Sequence, residues 1–175
     1  MFKTIAIVVI VLVVGVLGYA ATRPDTLRVA RSAVINAPPQ KIFAIVNDFH
    51  RGVEWSPYEV RDPAMKRTLS GADAGVGAVY VWDGNKDVGA GRMEILDAPA
   101  PQKITMKLDF MRPFEGHNTV EYTFKPQGDA TEVTWAMTGP SLFVQKLFGV
   151  FVNLDDMIGR DFAAGLANLK TLAEK

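Results

Sequence analysis

Side chains that could act as nucleophiles, general bases or metal ligands are few in this sequence. It contains no cysteine and two histidines, His50 and His117. Neither histidine is spaced with a serine or with other ligating residues as a nucleophilic triad or a metal cluster would require. We therefore predict no metal site and no cofactor, and we interpret both histidines as surface or loop residues.

A reaction that depends mainly on the shape of a pocket would need only a few polar groups. The candidates are Arg31, Glu94, Tyr122 and Asp161. Arg31 shares an alternating face with apolar residues, so either it points inward and needs a carboxylate partner, or a bulge turns it to solvent. No residue is assigned a catalytic role. Enzymatic activity stays open, and the pattern favours a protein that is not an enzyme.

Large, soft and aromatic side chains are the better candidates for a binding site. Methionine adapts to irregular apolar shapes, and tyrosine and tryptophan add one polar atom to an apolar ring. The predicted ligand-binding residues are Tyr58, Trp82, Met106, Phe110, Tyr122, Trp135, Met137 and Phe162. An ordinary filled core explains the same residues equally well. Trp55, beside Pro57, is interpreted as structural packing.

These side chains would be positioned by an antiparallel sheet. Ile104, Met106, Leu108 and Phe110 alternate with polar residues, and the same period recurs over residues 119–125 and 132–138. We predict a meander over residues 65–139 with one apolar and one wet face. A tight turn is expected at residues 83–85.

Helices are expected on both sides of this meander. A strand over residues 27–35 precedes an Asn-Ala-Pro-Pro helix start, a helix over 40–47 and a short helical turn over 48–55 that Pro57 ends. After the meander, apolar residues recur at three- and four-residue spacing from Leu154 to Ala173. This amphipathic helix is predicted to cover the apolar face of the sheet.

An uncharged apolar segment occupies residues 4–22, between Lys3 and Arg23. Its length favours a retained transmembrane anchor, with a cleaved signal peptide and a buried core helix as alternatives. We predict an anchor over residues 1–22, a linker over 23–26 and one domain over 27–175. The numbers of lysine and arginine residues near the two ends of this segment favour a cytoplasmic domain. The short basic amino-terminal tail favours an exported domain, which is the orientation we prefer.

Composition excludes some partners. Lys and Arg together number 19, as do Asp and Glu, so no broad basic surface is available for nucleic acid. The predicted partners are the membrane and a hydrophobic small molecule, and the sequence identifies no protein partner.

The element order and several short motifs resemble the SRPBCC, or START-like, helix-grip superfamily over residues 27–175. The motifs are Ile35-Asn36-Ala37-Pro38-Pro39, Glu54-Trp55-Ser56-Pro57, Trp82-Asp83-Gly84-Asn85-Lys86 and Ile158-Gly159-Arg160-Asp161-Phe162. Together they look like its membrane-anchored, polyketide cyclase/dehydrase-like bacterial branch. The resemblance implies an α+β fold in which a curved antiparallel sheet wraps around a long carboxyl-terminal helix, here with an amino-terminal transmembrane helix. It also implies an apolar cavity between the sheet and that helix.

Three functions follow as hypotheses. The preferred one is a membrane-anchored binding protein for a lipid, an isoprenoid or a polyketide-like molecule. The alternatives are a polyketide cyclase or dehydratase, and an envelope or co-chaperone-like interaction module without a ligand. The module would be favoured if side chains fill the space enclosed by Met106, Tyr122, Trp135 and Phe162.

Overall fold

A computed structural model, which describes residues 2–175, contains five α-helices, one 3₁₀ helix and seven strands. The helices are α1 (Phe2–Ala21), α2 (Pro39–Val46), the 3₁₀ helix (Phe49–Glu54), α3 (Pro57–Arg61), α4 (Phe143–Phe151) and α5 (Leu154–Ala173). The strands are β1 (Thr26–Ile35), β2 (Lys66–Gly71), β3 (Ala78–Asp83), β4 (Ala90–Asp97), β5 (Lys103–Arg112), β6 (Gly116–Gln127) and β7 (Ala130–Pro140).

The strands form one antiparallel sheet in the order β1-β7-β6-β5-β4-β3-β2. Strands β2 to β7 follow one another as the predicted meander, and β1 joins its end by pairing with β7. The predicted alternation is confirmed, because Ile104, Met106 and Leu108 are buried on one face of β5. The α+β helix-grip fold expected from the sequence is therefore confirmed.

Helix α5 covers the apolar face, as its periodicity predicts. Phe162, Leu166 and Leu169 are almost fully buried, and the helix packs mainly on β1, with α2, α3 and β7 also in contact. Asn153 caps its start by accepting a hydrogen bond from the Asp156 backbone N–H at 3.2 Å, which satisfies one of the free donors of the first turn.

Two local predictions are wrong. Pro57 begins α3 instead of ending regular structure, since proline at the first position of a helix loses no hydrogen bond. The turn expected at residues 83–85 is a longer loop, in which the Gly84 N–H donates to Gly89 O and the Gly89 N–H donates to Asn85 O. Gly89 has φ +65°, a left-handed conformation that glycine adopts without strain.

Helix α1 meets the length and composition criteria for a membrane span, which a signal sequence near the amino terminus also meets. Ala20 is its one buried residue within the described part of the chain. The third possibility, a helix buried in the core, is therefore wrong, because the side chains of α1 are exposed instead of packed against the sheet.

Candidate functional site

The centre of the concave face is a row of cross-strand neighbours. Arg31 on β1 is paired with Trp135 on β7, Trp135 with Tyr122 on β6, and Tyr122 with Ile104 on β5. Directly opposed residues of antiparallel strands share a face of the sheet. Phe162 of α5 stacks on the Trp135 ring, with the ring centroids 4.1 Å apart and an angle of 9° between the ring planes. The helix therefore packs directly against this row of residues.

Trp55, at the end of the 3₁₀ helix, completes the group. Its ring lies 6.1 Å from that of Tyr122 and 5.7 Å from that of Trp135, in both cases edge to face. Asn168 of α5 holds the turn by donating a hydrogen bond to Trp55 O at 3.1 Å. We call Trp55, Tyr122, Trp135 and Phe162 the aromatic cluster. The sequence signal for Trp55 is its place in the Glu-Trp-Ser-Pro motif, for which the sequence favours structural packing over a place in a pocket.

The aromatic cluster contains two buried hydrogen-bond donors that have no partner among residues 2–175, Trp55 Nε1 and Trp135 Nε1. A buried indole N–H usually has a partner, and leaving a donor unsatisfied costs about 1–3 kcal/mol. Burial raises the pKa of Tyr122 well above its ordinary value. It also raises the pKa of Tyr58, with a further contribution from the nearby Asp161 carboxylate. Both hydroxyls therefore stay protonated and can donate.

Trp82 and Phe110 belong to a separate aromatic group. Their rings meet edge to face at 5.9 Å, and Tyr80 stacks on Trp82 at 6.0 Å. A side chain at Gly91 would place Cβ 2.4 Å from Trp82 Cη2, so only glycine lets the indole lie flat on β4. Trp82 Nε1 donates to Val88 O at 3.1 Å and is satisfied, unlike the two indoles of the aromatic cluster.

Helix α3 connects the two aromatic groups. Glu59 accepts hydrogen bonds from Tyr80 Oη at 2.8 Å and from Arg67 Nε at 2.6 Å. Two residues later, Arg61 forms an ion pair with Asp161 of α5. A helix of only five residues is thus held by charge on both sides, above the concave face. Sequence reasoning missed Glu59, because nothing in the local pattern distinguishes it from a solvated surface carboxylate.

A family model described as "Polyketide cyclase / dehydrase and lipid transport" matches residues 26–174. The chain belongs to this family. The match begins at the first residue of β1 and extends beyond the end of α5, so it covers the whole sheet and leaves α1 outside.

Solved structures share the fold of this chain at low identity. Protein CV1439 from Chromobacterium violaceum is 16% identical, with 87% of this chain and 99% of that chain covered and a TM-score of 0.60. Major latex-like protein 151 from Panax ginseng is 13% identical, with 87% and 100% covered and a TM-score of 0.59. The di-domain ARO/CYC BexL from the BE-7585A biosynthetic pathway is 15% identical, with 91% and 53% covered and a TM-score of 0.61. No curated protein matches the chain.

The cavity implied by the resemblance is occupied by side chains in this family member. Met106, Tyr122, Trp135, Met137 and Phe162 are all buried, and ring stacking closes the space between Trp135 and α5. Two open surface pockets of residues 2–175 lie elsewhere, one beside the edge of β2 and β3 and one between the linker, α4 and the start of α5.

The sequence-predicted binding residues therefore do not form one site. Tyr122, Trp135 and Phe162 lie in the aromatic cluster, while Trp82 and Phe110 lie in the separate group. Met106 and Met137 are opposed by the same residue of β6, Val120, one row away from the cluster. Tyr58 of α3 lies close enough to Tyr122 to perturb the pKa of its hydroxyl.

Two of the polar candidates for a reaction are held in ion pairs on the helix side of the sheet. Arg31 does point inward, and its Nη2 lies 2.9 Å from Asp155 Oδ2. The hydrogen bond from Arg31 holds the pKa of Asp155 below its usual value. Asp161 is paired with Arg61. Neither side chain is a free acid or base directed at the aromatic cluster.

Glu94 and the two histidines lie away from the aromatic cluster. Glu94 alternates with Met93 and Ile95, which pack into the core, so it faces outward and pairs with Arg92 at 2.8 Å. His50 contacts Asp48 at 2.9 Å and His117 contacts Asp109 at 2.7 Å, both with exposed imidazoles. Within residues 2–175, no three potential metal ligands come together.

Proposed function

We propose that the protein binds a hydrophobic small molecule that carries a hydrogen-bond acceptor, with the aromatic cluster as its binding surface. The observation that carries the proposal is the pair of buried, unpartnered donors, Trp55 Nε1 and Trp135 Nε1. A carbonyl or ether oxygen between them would satisfy donors that are otherwise costly to bury. The rings would supply the apolar contact that ligand sites generally provide.

Entry of a ligand requires the rings to separate, because the space between them is filled. Helix α3 is the natural cover, since it lies over the concave face and is held to α5 by the Arg61–Asp161 ion pair. Movement of α3 would also carry Tyr58 away from Tyr122. We infer that the structure represents the closed state and that the ligand-bound state has α3 displaced.

Membrane attachment is the second part of the proposal. We infer that α1 is a retained single-pass anchor and that residues 27–175 form the binding domain. Only four residues separate α1 from β1, so the domain would lie against the bilayer, on the exported side in our interpretation. A lipid or isoprenoid is the ligand class that such a position favours.

The test uses the full chain in lipid nanodiscs. Apolar molecules extracted after purification are identified by mass spectrometry, and binding of a carbonyl-bearing isoprenoid and of the matched saturated hydrocarbon is followed by tryptophan fluorescence. Trp135→Phe and Trp55→Phe remove one donor each and keep a ring. Loss of one neutral hydrogen bond should weaken the carbonyl ligand about 2- to 10-fold and leave the hydrocarbon unchanged.

Trp82→Phe is the matched control, because its indole N–H is already bound to Val88 O and lies outside the aromatic cluster. If no apolar molecule other than the nanodisc lipids copurifies and neither ligand binds, the proposal is refuted. Equal weakening of both ligands by Trp135→Phe would refute the role of the donors while leaving an apolar site.

An interaction module without a ligand is the second candidate, favoured by the filled interior. It predicts that Trp135→Phe leaves partner capture unchanged and that no lipid raises the unfolding temperature. A cyclase is not proposed, because Arg31 and Asp161 are bound in ion pairs and Glu94 faces away from the aromatic cluster.

A further inference from the structure

Helix α4 is amphipathic, but its apolar side faces outward and its polar side faces the rest of the chain. This is the reverse of the usual arrangement in a water-soluble protein. Its polar side faces the rest of the chain, where Lys146 is only 9% exposed. Its apolar side faces outward, and Phe151 is 73% exposed. The exposed apolar residues are Phe143, Val144, Phe148 and Phe151. At about 100° per residue they fall within an arc of about 140°.

The inward side of α4 is fixed by specific polar contacts. Lys146 forms an ion pair with Asp25 of the linker, and Arg23 Nη2 donates to Gly149 O at 3.4 Å. Gln145 Oε1 accepts a hydrogen bond from the Leu142 backbone N–H at 2.9 Å, which caps the start of the helix. These contacts hold the helix in this rotation, so its outward apolar face is built into the fold.

Helix α4 also packs on α1. Ala20, in the last turn of α1, is completely buried, and the polar contacts of α4 are made with the residues that directly follow that turn. The exposed apolar face of α4 is therefore continuous with the exposed apolar surface of α1, at the end where α1 would leave the hydrocarbon core.

We propose that α4 lies in the interface of the bilayer with its apolar arc among the lipid acyl chains. This inference rests on the proposed membrane anchoring by α1. Four large apolar side chains turned outward are costly in water and favourable at the boundary of headgroups and acyl chains. Arg23 and Arg28 line the groove of about 320 Å³ beside α4, at the level of the headgroups, where basic side chains are commonly found.

The bilayer fits this face better than a second copy of the chain does. A partner subunit on α4 would have to share its position with the lipid around the last turns of α1. The exposed apolar surfaces of α1 and α4 are continuous, so both contact the same medium. Around a membrane span, that medium is lipid. Helix α4 thereby sets the orientation of the sheet relative to the membrane, which a single flexible tether would leave free.

The experiment uses the full chain in lipid vesicles and exploits its lack of cysteine. Single variants Phe148→Cys and Phe151→Cys are labelled with a polarity-sensitive fluorophore. Val9→Cys, in the middle of α1, reports the span, and Asp129→Cys, in the exposed β6–β7 turn, reports the aqueous side. Lipids with a doxyl quencher on the acyl chain should quench the labels at positions 9, 148 and 151 and leave position 129 unchanged.

The outcomes separate the two proposals. Quenching at position 9 without quenching at 148 or 151 overturns the interfacial position of α4 and leaves the anchor intact. No quenching at any position overturns both. A blue-shifted but unquenched label at 148 and 151 whose emission depends on protein density would mean that a second copy covers α4, which also overturns the proposal. Two labelled sites on one face guard against a single variant that disturbs packing.

Discussion

Gly165→Ala tests whether α3 and α5 are held in contact over the aromatic cluster. The added methyl carbon would lie 2.7 Å from Trp135 Cζ3 and 3.0 Å from Pro57 Cδ, well inside the carbon–carbon contact distance of about 3.5–4.0 Å. Trp135 cannot retreat, because Phe162, Tyr122 and Trp55 surround its ring. Overpacking of this kind costs about 1–3 kcal/mol.

The same substitution also stabilises the helix itself, since alanine is favoured over glycine by about 1 kcal/mol in a helix interior. Because the methyl carbon overlaps both Trp135 and Pro57, we expect the overpacking cost to lie in the upper part of that range, about 2–3 kcal/mol. The net loss of unfolding free energy for Gly165→Ala should therefore be about 1–2 kcal/mol. For a chain of this length we expect a fall in the melting temperature of about 2–8 °C.

Gly159→Ala in the same helix is the matched control. Its methyl carbon would meet Arg31 Nη2 at 2.0 Å, the far end of a flexible side chain that can swing aside. The Arg31–Asp155 pair that would be lost is 30% and 49% exposed, and such pairs contribute about 0–1 kcal/mol. The helix gain offsets this loss, so Gly159→Ala should melt close to the wild-type chain.

Both variants are compared by near-ultraviolet circular dichroism during heating of the full chain in detergent, where the tryptophan signal reports the packing of the rings. A Gly165→Ala protein as stable as Gly159→Ala would contradict the reasoning. It would mean that α3 or the Trp135–Phe162 stack yields freely, and that the closed state is less tightly packed than the distances indicate.

Two further predictions concern charge. Glu59→Gln should lower the unfolding free energy by about 2–3 kcal/mol, less than the roughly 3–5 kcal/mol of a fully buried pair, because the Glu59 side chain is 9% exposed but that of Arg67 is 28% exposed. Urea unfolding measures the loss, and no change would mean that α3 is not held by this pair. Hydrogen bonds from Lys107 and His117 hold the pKa of Asp109 below its usual value. The Asp109 carboxylate therefore stabilises the fold at any pH above its unfolded-state pKa of about 3.9. This stabilisation is lost as the pH falls through the folded-state pKa. Asp109→Asn should thus reduce the urea midpoint at pH 6 and reduce it much less below pH 3, and an equal reduction at both pH values would argue against the ionic contribution.

The fold was predictable from the sequence because its periodic signals are strong and local. Strict alternation from Ile104 to Leu108 reports a half-buried strand, and the three- and four-residue spacing of α5 reports a covering helix. The same local signals give the order of the elements. The pairing of β1 with β7 was not predicted, since no local pattern encodes a contact between opposite ends of a domain.

The candidate site was less predictable because it depends on contacts between distant segments. Trp55, at the end of the 3₁₀ helix, and Tyr122 of β6 come together in the folded chain, where Asn168 of α5 also binds the Trp55 carbonyl. The ion pair of Glu59 with Arg67 depends on a loop whose path the turn signals did not reveal. The alternation of strands identified which side chains face inward, but not whether those side chains fill the interior or line a cavity, since both arrangements need the same large apolar residues.

The position of β1 has a consequence for the synthesis of the protein. β1 follows α1 almost immediately, yet within residues 2–175 it pairs with β7 alone, which the ribosome completes on the order of a hundred residues later. Until then both edges of the first strand are unpaired, and the strand can associate with other chains. We therefore expect the sheet to close only after translation has passed β7. A chaperone that shields nascent strands during translation should raise the yield of folded protein more than one that acts on the finished chain.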